Sequence, residues 1–264
     1  MLEKTSPTIP VPEPELTATE MLARAEAMSP VLRERRTATE SAGHLLDENN
    51  DAFIKAGFYR AIQPRRFGGY EFHLRDFIRI MIAVARGCPS SGWVLALTAG
   101  HPQMLSRFAE RTQAEIYGNA GDVRAPLRPV PGGQAEKCDG GYLVSGAWDY
   151  ASGCDHATHF IGAAVVAGSN PPKLIYALLD RSAFVIIDNW DTIGMRGTGS
   201  KRVAAERVIR SPTPDHHRAG NIGRDRAGMA YAREPILFRR ILQFVVFRDR
   251  RRGDRHRPGC ARCL

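Results

Sequence analysis

Two short stretches hold residues able to do chemistry. Residues 190–203, WDTIGMRGTGSKRV, place Gly194, Gly197 and Gly199 within six positions, with Arg196 among them and the hydroxyls of Thr198 and Ser200 alongside. Glycine loses the most backbone entropy on folding, so such a cluster marks tight turns or a close approach. The amides and hydroxyls of a loop like this can cradle an anion. A plain glycine-rich connection between two strands has the same composition. Residues 146–160, GAWDYASGCDHATHF, alternate Trp148, Tyr150 and Ser152, which on a strand would share one face. A flat aromatic, a hydroxyl and the bend at Gly153-Cys154 would suit a planar ring with polar edges. An ordinary hairpin around a core tryptophan reads the same way. His156 and His159 stand three apart, but no carboxylate or Cys cluster beside them completes a ligand set, and no metal is expected.

These stretches must be positioned by the elements around them. Residues 16–118 read as helices: TATEMLARAEAM, a new helix capped by Ser29-Pro30, LLDENNDAFIKAGF ending at Gly57, then HLRDFIRIMIAVARGC with Leu74, Phe77, Ile78, Met81 and Ile82 on one face. SSGWVLALTAGH is a short apolar helix, and HPQMLSRFAERTQAEIYG closes the run. From residue 119 the pattern turns to about five strands: YLVSGAW, HFIGAAVVAG, KLIYALLD, AFVIIDNW and SKRVAAERVI. No long helix separates them, so a doubly wound parallel sheet is excluded and an α+β organisation follows. The expected division is a flexible lead-in over 1–15, a helical domain over 16–118, a β domain over 119–212 and a last segment over 213–264.

Composition bounds the function classes. The chain has 264 residues, is 43% hydrophobic and 25% charged, and its N-terminus lacks the apolar core of a secretory signal. A cytoplasmic protein with reduced thiols is expected from that and from five irregularly spaced cysteines. The net charge of +9 is misleading. Residues 239–264 hold nine Arg and two Asp, a net of +7, which leaves +2 for residues 1–238. The body of the chain is nearly balanced, so neither nucleic acid nor a membrane is an expected partner.

Taken together, GAWDYASGCDHATHF and WDTIGMRGTGS resemble the flavin-dependent monooxygenases built on the acyl-CoA dehydrogenase fold. The pattern is similar to the oxygenase components of two-component phenol and hydroxyphenylacetate hydroxylases, with FYRAIQPRRFGG and SSGWVLALTAGH extending it over residues 17–238. The resemblance implies an N-terminal helical domain, a middle β-barrel and a C-terminal four-helix bundle. It places Trp148 and Ser152 along the isoalloxazine ring of reduced FMN, or of FADH2, with Gly153 and Cys154 holding the backbone close. Gly197, Thr198, Gly199 and Ser200 would lie near the flavin's phosphate side, and Arg196 would supply charge. Trp93 and His101, eight apart, resemble a substrate-side pair in which the histidine helps deprotonate a phenol; as a residue met alone, His101 reads as a helix-end histidine before Pro102. Partners implied are a small aromatic substrate, O2, a separate flavin reductase and, for the full-length family, a homotetramer. The absence of a G-x-G-x-x-G turn after a strand agrees with reducing power that arrives from outside.

The last segment departs from that family. RRILQFVVFRDRRRGDRHRPGCARCL takes the place of the bundle, which is expected to be largely missing, and catalysis is expected to be impaired by it. His256, Cys260 and Cys263 are three thiol and imidazole groups without an evident fourth. With GC-rich codons a one-base shift of residues 247–264 reads as an Ala-rich helix, which raises a frameshift as one origin of the Arg-rich tail. The alternatives to a monooxygenase are an acyl-CoA dehydrogenase-type oxidoreductase acting on CH–CH bonds, and a noncatalytic remnant.

Overall fold

A computed structural model describes residues 9–210, apart from 109, 119, 120 and 140. Residues 213–264, and with them the bundle, the frameshift and the Cys260/Cys263 readings, lie outside the described residues. Six α-helices come first: α1 (Ala18–Glu34), α2 (Arg36–Ala42), α3 (Asp47–Lys55), α4 (Leu74–Gly87), α5 (Pro89–Gly100) and α6 (Glu110–Tyr117). Thr17 and Glu20 start α1 with reciprocal bonds: the threonine hydroxyl accepts the Glu20 N–H and the Glu20 carboxylate accepts the Thr17 N–H. The helix break expected at Ser29-Pro30 does not occur, since α1 runs through Pro30. Proline forfeits one helical hydrogen bond there. The buried stripe Met21, Ala25 and Leu32 continues across it against α4, and tertiary packing outweighs the local preference.

The inward face of α4 also differs from the expected one. Phe77 and Met81 are buried as expected, but their companions are Ile80, Val84 and Gly87, while Ile78 and Ile82 are 42% and 49% exposed. Apolar residues cover more than half of this helix, so periodicity alone leaves the choice of stripe open. The neighbours settle it, because α4 lies between α1 and α5. Phe53, Leu32, Ile80 and Leu95 join in one helical core.

The strands are β1 (Leu127–Cys138), β2 (Gly141–Trp148), β3 (His159–Val166), β4 (Leu174–Asp180), β5 (Val185–Ile187) and β6 (Arg202–Arg210), in the order β4-β3-β1-β2-β6-β5. Only β1 and β3 run parallel; the other neighbours are antiparallel. The sheet has one strand more than the sequence suggested. Strand β1 contains Pro129, Pro131 and two glycines, which read as a turn. Its ladder with β3 is interrupted between Arg128 and Gly133, and the prolines fall in that gap. Strands β4 and β6 approach each other although three strands separate them in the order, so the sheet curls. Its core joins Val144, Trp148, Phe160, Leu179 and Val203.

Candidate active site

The two motifs meet where α5 packs against the turn Arg196–Thr198 and against Gly153 in the segment after β2. Chain segments on either side tie them together through backbone bonds: Gly153 N–H to Thr198 O at 3.0 Å and Ala151 N–H to Lys201 O at 3.0 Å. Ser152, Thr198 and Ser200 are buried at 6%, 2% and 5% exposure. Buried hydroxyls need partners, and here they find one another. Trp93 Nε1 on α5 donates to Ser152 Oγ at 3.1 Å, Ser152 Oγ and Ser200 Oγ are 2.7 Å apart, Ser200 Oγ and Thr198 Oγ1 are 2.7 Å apart, and Thr198 Oγ1 donates to Met195 O at 2.8 Å. A half-buried indole on a helix is thus linked to both sequence motifs.

The glycines of the second motif serve this junction. A Cβ on Gly197 would stand 2.6 Å from Thr39 Cγ2 and 3.0 Å from the Thr39 carbonyl, so only glycine lets the loop lie on α2. Gly199 has φ +51° and ends the short 3-10 turn Arg196–Thr198. Glu40 of α2 holds the start of that turn. Its carboxylate accepts the Arg196 N–H at 2.9 Å and the hydroxyl of Ser90 from α5.

That arrangement engages several donors of the expected anion cradle within the chain. The backbone N–H groups of Arg196, Thr198, Gly199 and Lys201 are bonded to Glu40, Met195 O, Arg196 O and Gly199 O. The Arg196 guanidinium turns to Asp191 at 3.0 Å and to the Thr192 carbonyl at 3.1 Å. The loop's donors are largely taken by the chain itself, and the negative group at the turn's N-terminus is Glu40. Lys201 is buried too, with Nζ 2.8 Å from Asp155 and 3.5 Å from Asp188. Burial works against its charge, but these two carboxylates outweigh that and raise its pKa.

Trp148 and His101 stand elsewhere. Trp148 is 1% exposed, with its indole over Gly133 and Gly162 and tilted against Phe160, and Nε1 donates to Ala163 O at 2.8 Å. It fills the sheet core and offers no face to a ring. The shared face expected for Trp148, Tyr150 and Ser152 is lost because β2 ends at Trp148 and Tyr150 takes φ +62°. The accessible aromatic next to Ser152 is therefore Tyr150, 59% exposed, edge-on to Trp190 and beneath Arg128. Its signal in the sequence was its place two residues before Ser152, masked by the larger tryptophan.

His101 caps α5 and faces β1. Its Nδ1 accepts the Leu127 N–H at 3.0 Å, and the ring also hydrogen-bonds the Ala125 backbone. Burial pushes its pKa down to about 4, which the Ala125 bond only partly opposes. It is neutral near pH 7 and engaged with the chain. Trp93 and His101 stand about 12 Å apart along the helix axis, eight residues at the usual rise, and serve different partners. Gly153 lies on Val94 and Thr98 of α5. The Cys154 thiol is buried, pointing to Gly199 O at 3.6 Å, and burial raises its pKa to about 12. Among the described residues no group of three or more His, Cys, Asp or Glu is placed to hold a metal.

No protein-family model matches the sequence. Individual proteins do. The oxygenase subunit HsaA of a flavin-dependent monooxygenase from Rhodococcus jostii is 36% identical over 187 residues, which are 70% of this chain and 49% of the relative. The crystal structure of the HsaA monooxygenase from M. tuberculosis superposes with a TM-score of 0.71 at 34% identity, over 75% of this chain and 54% of that one. Over these residues the chain is homologous to oxygenase subunits of flavin-dependent monooxygenases. The oxygenase component of p-hydroxyphenylacetate 3-hydroxylase from Acinetobacter baumannii is less similar, 28% identical over 197 residues, 74% of this chain and 47% of its own. The chain spans about half the length of the curated relatives it matches. The helices followed by a curled sheet are the acyl-CoA dehydrogenase-like architecture of these monooxygenases. No helix among the described residues is long and apolar enough to cross a membrane.

Proposed function

We propose that this chain is part of an oxygenase component that takes reduced flavin, FMN or FADH2, and hydroxylates a small phenolic ring with O2. One oxygen atom enters the ring, the other leaves as water, and the reduced flavin, supplied by a separate reductase, provides the two electrons. In this reading the helices of Ala18–Tyr117 and the strands of Leu127–Arg210 belong to the first two layers of that fold. The observation that carries the reading is the buried line from Trp93 through Ser152 and Ser200 to Thr198, because it joins both motifs by which the chain resembles its relatives.

In this reading Ser152 meets the ring edge, and Tyr150, rather than Trp148, offers an aromatic surface beside it. The packed walls of α5 and the sheet keep water from one side of the ring, which protects the oxygen transfer from loss as peroxide. Glu40 holds the glycine-rich loop in place. His101 acts on a phenol only if its Nδ1 is released from Leu127; as a neutral imidazole it is in the correct state to accept a proton. The oxygenation named for the relatives favours this reading over acyl-CoA oxidation.

The test is an anaerobic titration of the full chain with reduced FMN and FADH2, followed by turnover with a flavin reductase, a phenol and labelled O2. Saturable binding and one labelled oxygen per hydroxylated product are expected. A chain that binds neither reduced flavin would overturn the proposal.

A further inference from the structure

Met195 is a bulky residue in a backbone conformation that favours glycine, with φ +58°. Such a position persists only where the surroundings hold it, and three bonds hold this one. Its carbonyl accepts the Thr198 N–H at 3.1 Å, the Thr198 hydroxyl at 2.8 Å and the Trp190 Nε1–H at 3.3 Å. The side chain lies with Sδ 3.8 Å from Ser90 Oγ of α5, while the residue stays 39% exposed. Among the described residues the other methionines, Met21, Met28, Met81 and Met104, are buried or half-buried. The accessible thioether is therefore the one that sits on the glycine-rich loop.

Ser90 has one hydroxyl proton and two acceptors beside it. It donates to the Glu40 carboxylate, whose other oxygen accepts the Arg196 N–H at 2.9 Å. A thioether is a weak acceptor and does not compete for that proton. A sulfoxide is polar and carries an oxygen that does. We propose that Met195 is a peroxide-sensitive modification site, where oxidation by hydrogen peroxide loosens the glycine-rich loop from Glu40 and Ser90. The sulfur lone pair attacks one peroxide oxygen. The S–O bond forms as the O–O bond breaks, the sulfur is oxidised by two electrons, and the other oxygen takes the remaining proton and leaves as water. The new oxygen either draws the Ser90 proton from Glu40 or turns the side chain away from α5. Each outcome weakens the tie that α2 and α5 make to the turn Arg196–Thr198. A methionine sulfoxide reductase with a dithiol reverses the step. The assignment rests on this geometry and stands without the flavin reading.

The test treats the full chain, without flavin, with hydrogen peroxide at neutral pH. Sulfoxide at each methionine is followed by peptide mass spectrometry, and the loop is probed by brief trypsin digestion, read as release of the fragment that ends at Arg196. Met195 is expected to oxidise first among the described methionines. Cleavage after Arg196 should then become about fivefold faster, the factor that one lost hydrogen bond makes in a local opening equilibrium. Treatment with the sulfoxide reductase should return the rate to its starting value. Met195→Leu, which nearly conserves volume, should be cleaved at the untreated rate with or without peroxide. Ser90→Ala should be cleaved faster from the start, and peroxide should add little. Oxidation of Met195 no sooner than of Met21, Met81 and Met104 overturns the inference. So does an oxidised chain cleaved at the untreated rate, or an equal acceleration in Met195→Leu. None of these readouts needs flavin, so a chain that binds no flavin still decides the question.

Discussion

Trp148 and Trp93 each donate an indole N–H within the same molecule, and the two bonds have different consequences. Around Trp148 everything is closed. The ring is 1% exposed, its one polar atom ends on the Ala163 carbonyl of β3, and its neighbours are glycines and Phe160. Around Trp93 the N–H opens a series, passing through three hydroxyls before it reaches a carbonyl. One tryptophan completes a core and the other begins a polar seam. Being aromatic in a suggestive motif does not distinguish them; what the N–H meets does.

The comparison can be broken first at its larger side. Trp148→Ala should cost about 3–5 kcal/mol of folding stability, as a fully buried large aromatic does. The loss should appear in denaturant unfolding of the chain and should not change the ratio of reduced to oxidised flavin affinities. A stable Trp148→Ala protein with a selective flavin defect would restore Trp148 to the site. The next effect is at the seam. Ser152→Ala leaves the Trp93 N–H and Ser200 Oγ each short of a partner, worth about 1–3 kcal/mol. Here a selective weakening of reduced flavin is also expected, and unchanged titrations would separate Ser152 from the ring.

These two residues also show what was legible in the sequence. The succession of helices and strands followed from periodicity and turn residues, because most elements carry one clear stripe. The exceptions are physical. Pro30 sits in a helix whose tertiary contacts outweigh one lost bond, and β1 contains prolines at a gap in its ladder. Ile78 and Ile82 were placed inward because α4 has more apolar surface than its neighbours cover. For the site, the motifs were visible by composition, but the partner of each side chain was not. Nothing in the spacing says that Trp93 meets Ser152, fifty-nine residues away, or that Glu40 accepts the Arg196 N–H across most of the chain. Such pairings exist only after the helices and the curled sheet have packed.

A smaller effect concerns the other end of α5. His101 has a folded pKa of about 4 against an ordinary 6.5. The unfolded chain takes up its proton first, so the contribution of neutral His101 is complete above about pH 6.5 and declines as the pH falls from there towards 4. The slope from one such group is at most about 1.4 kcal/mol per pH unit. Denaturation midpoints followed from pH 7 to pH 4 should fall more steeply for the wild-type chain than for His101→Gln. Equal slopes would mean that burial does not hold the ring neutral, and would place His101 nearer to a free base than its surroundings indicate.

The smallest effect is expected one residue beyond the seam. Lys201 and Arg202 are adjacent, and the chain turns them to opposite sides. Lys201 is buried against Asp155, while Arg202 makes a two-pronged pair with Asp149, Nε to Oδ1 at 2.8 Å and Nη2 to Oδ2 at 3.0 Å, with both side chains about 40% exposed. Arg202, and after it Asn189, hold the Asp149 carboxyl down to about 2. Because that value lies below the ordinary 3.8, the pair stabilises the fold above about pH 3.8 and its contribution disappears as the pH falls through 2. In water-exposed surroundings such a pair contributes little and salt screens it. Asp149→Asn should therefore give the least change of the set, present at low ionic strength and absent in high salt, whereas Lys201→Met should destabilise at both, because it strands the Asp155 carboxylate beside the buried seam. Denaturation midpoints of the two variants, measured at low and high salt, decide it. A loss in Asp149→Asn that salt does not diminish would mean that the polar seam extends outward past Lys201 to the strand ends that carry Tyr150.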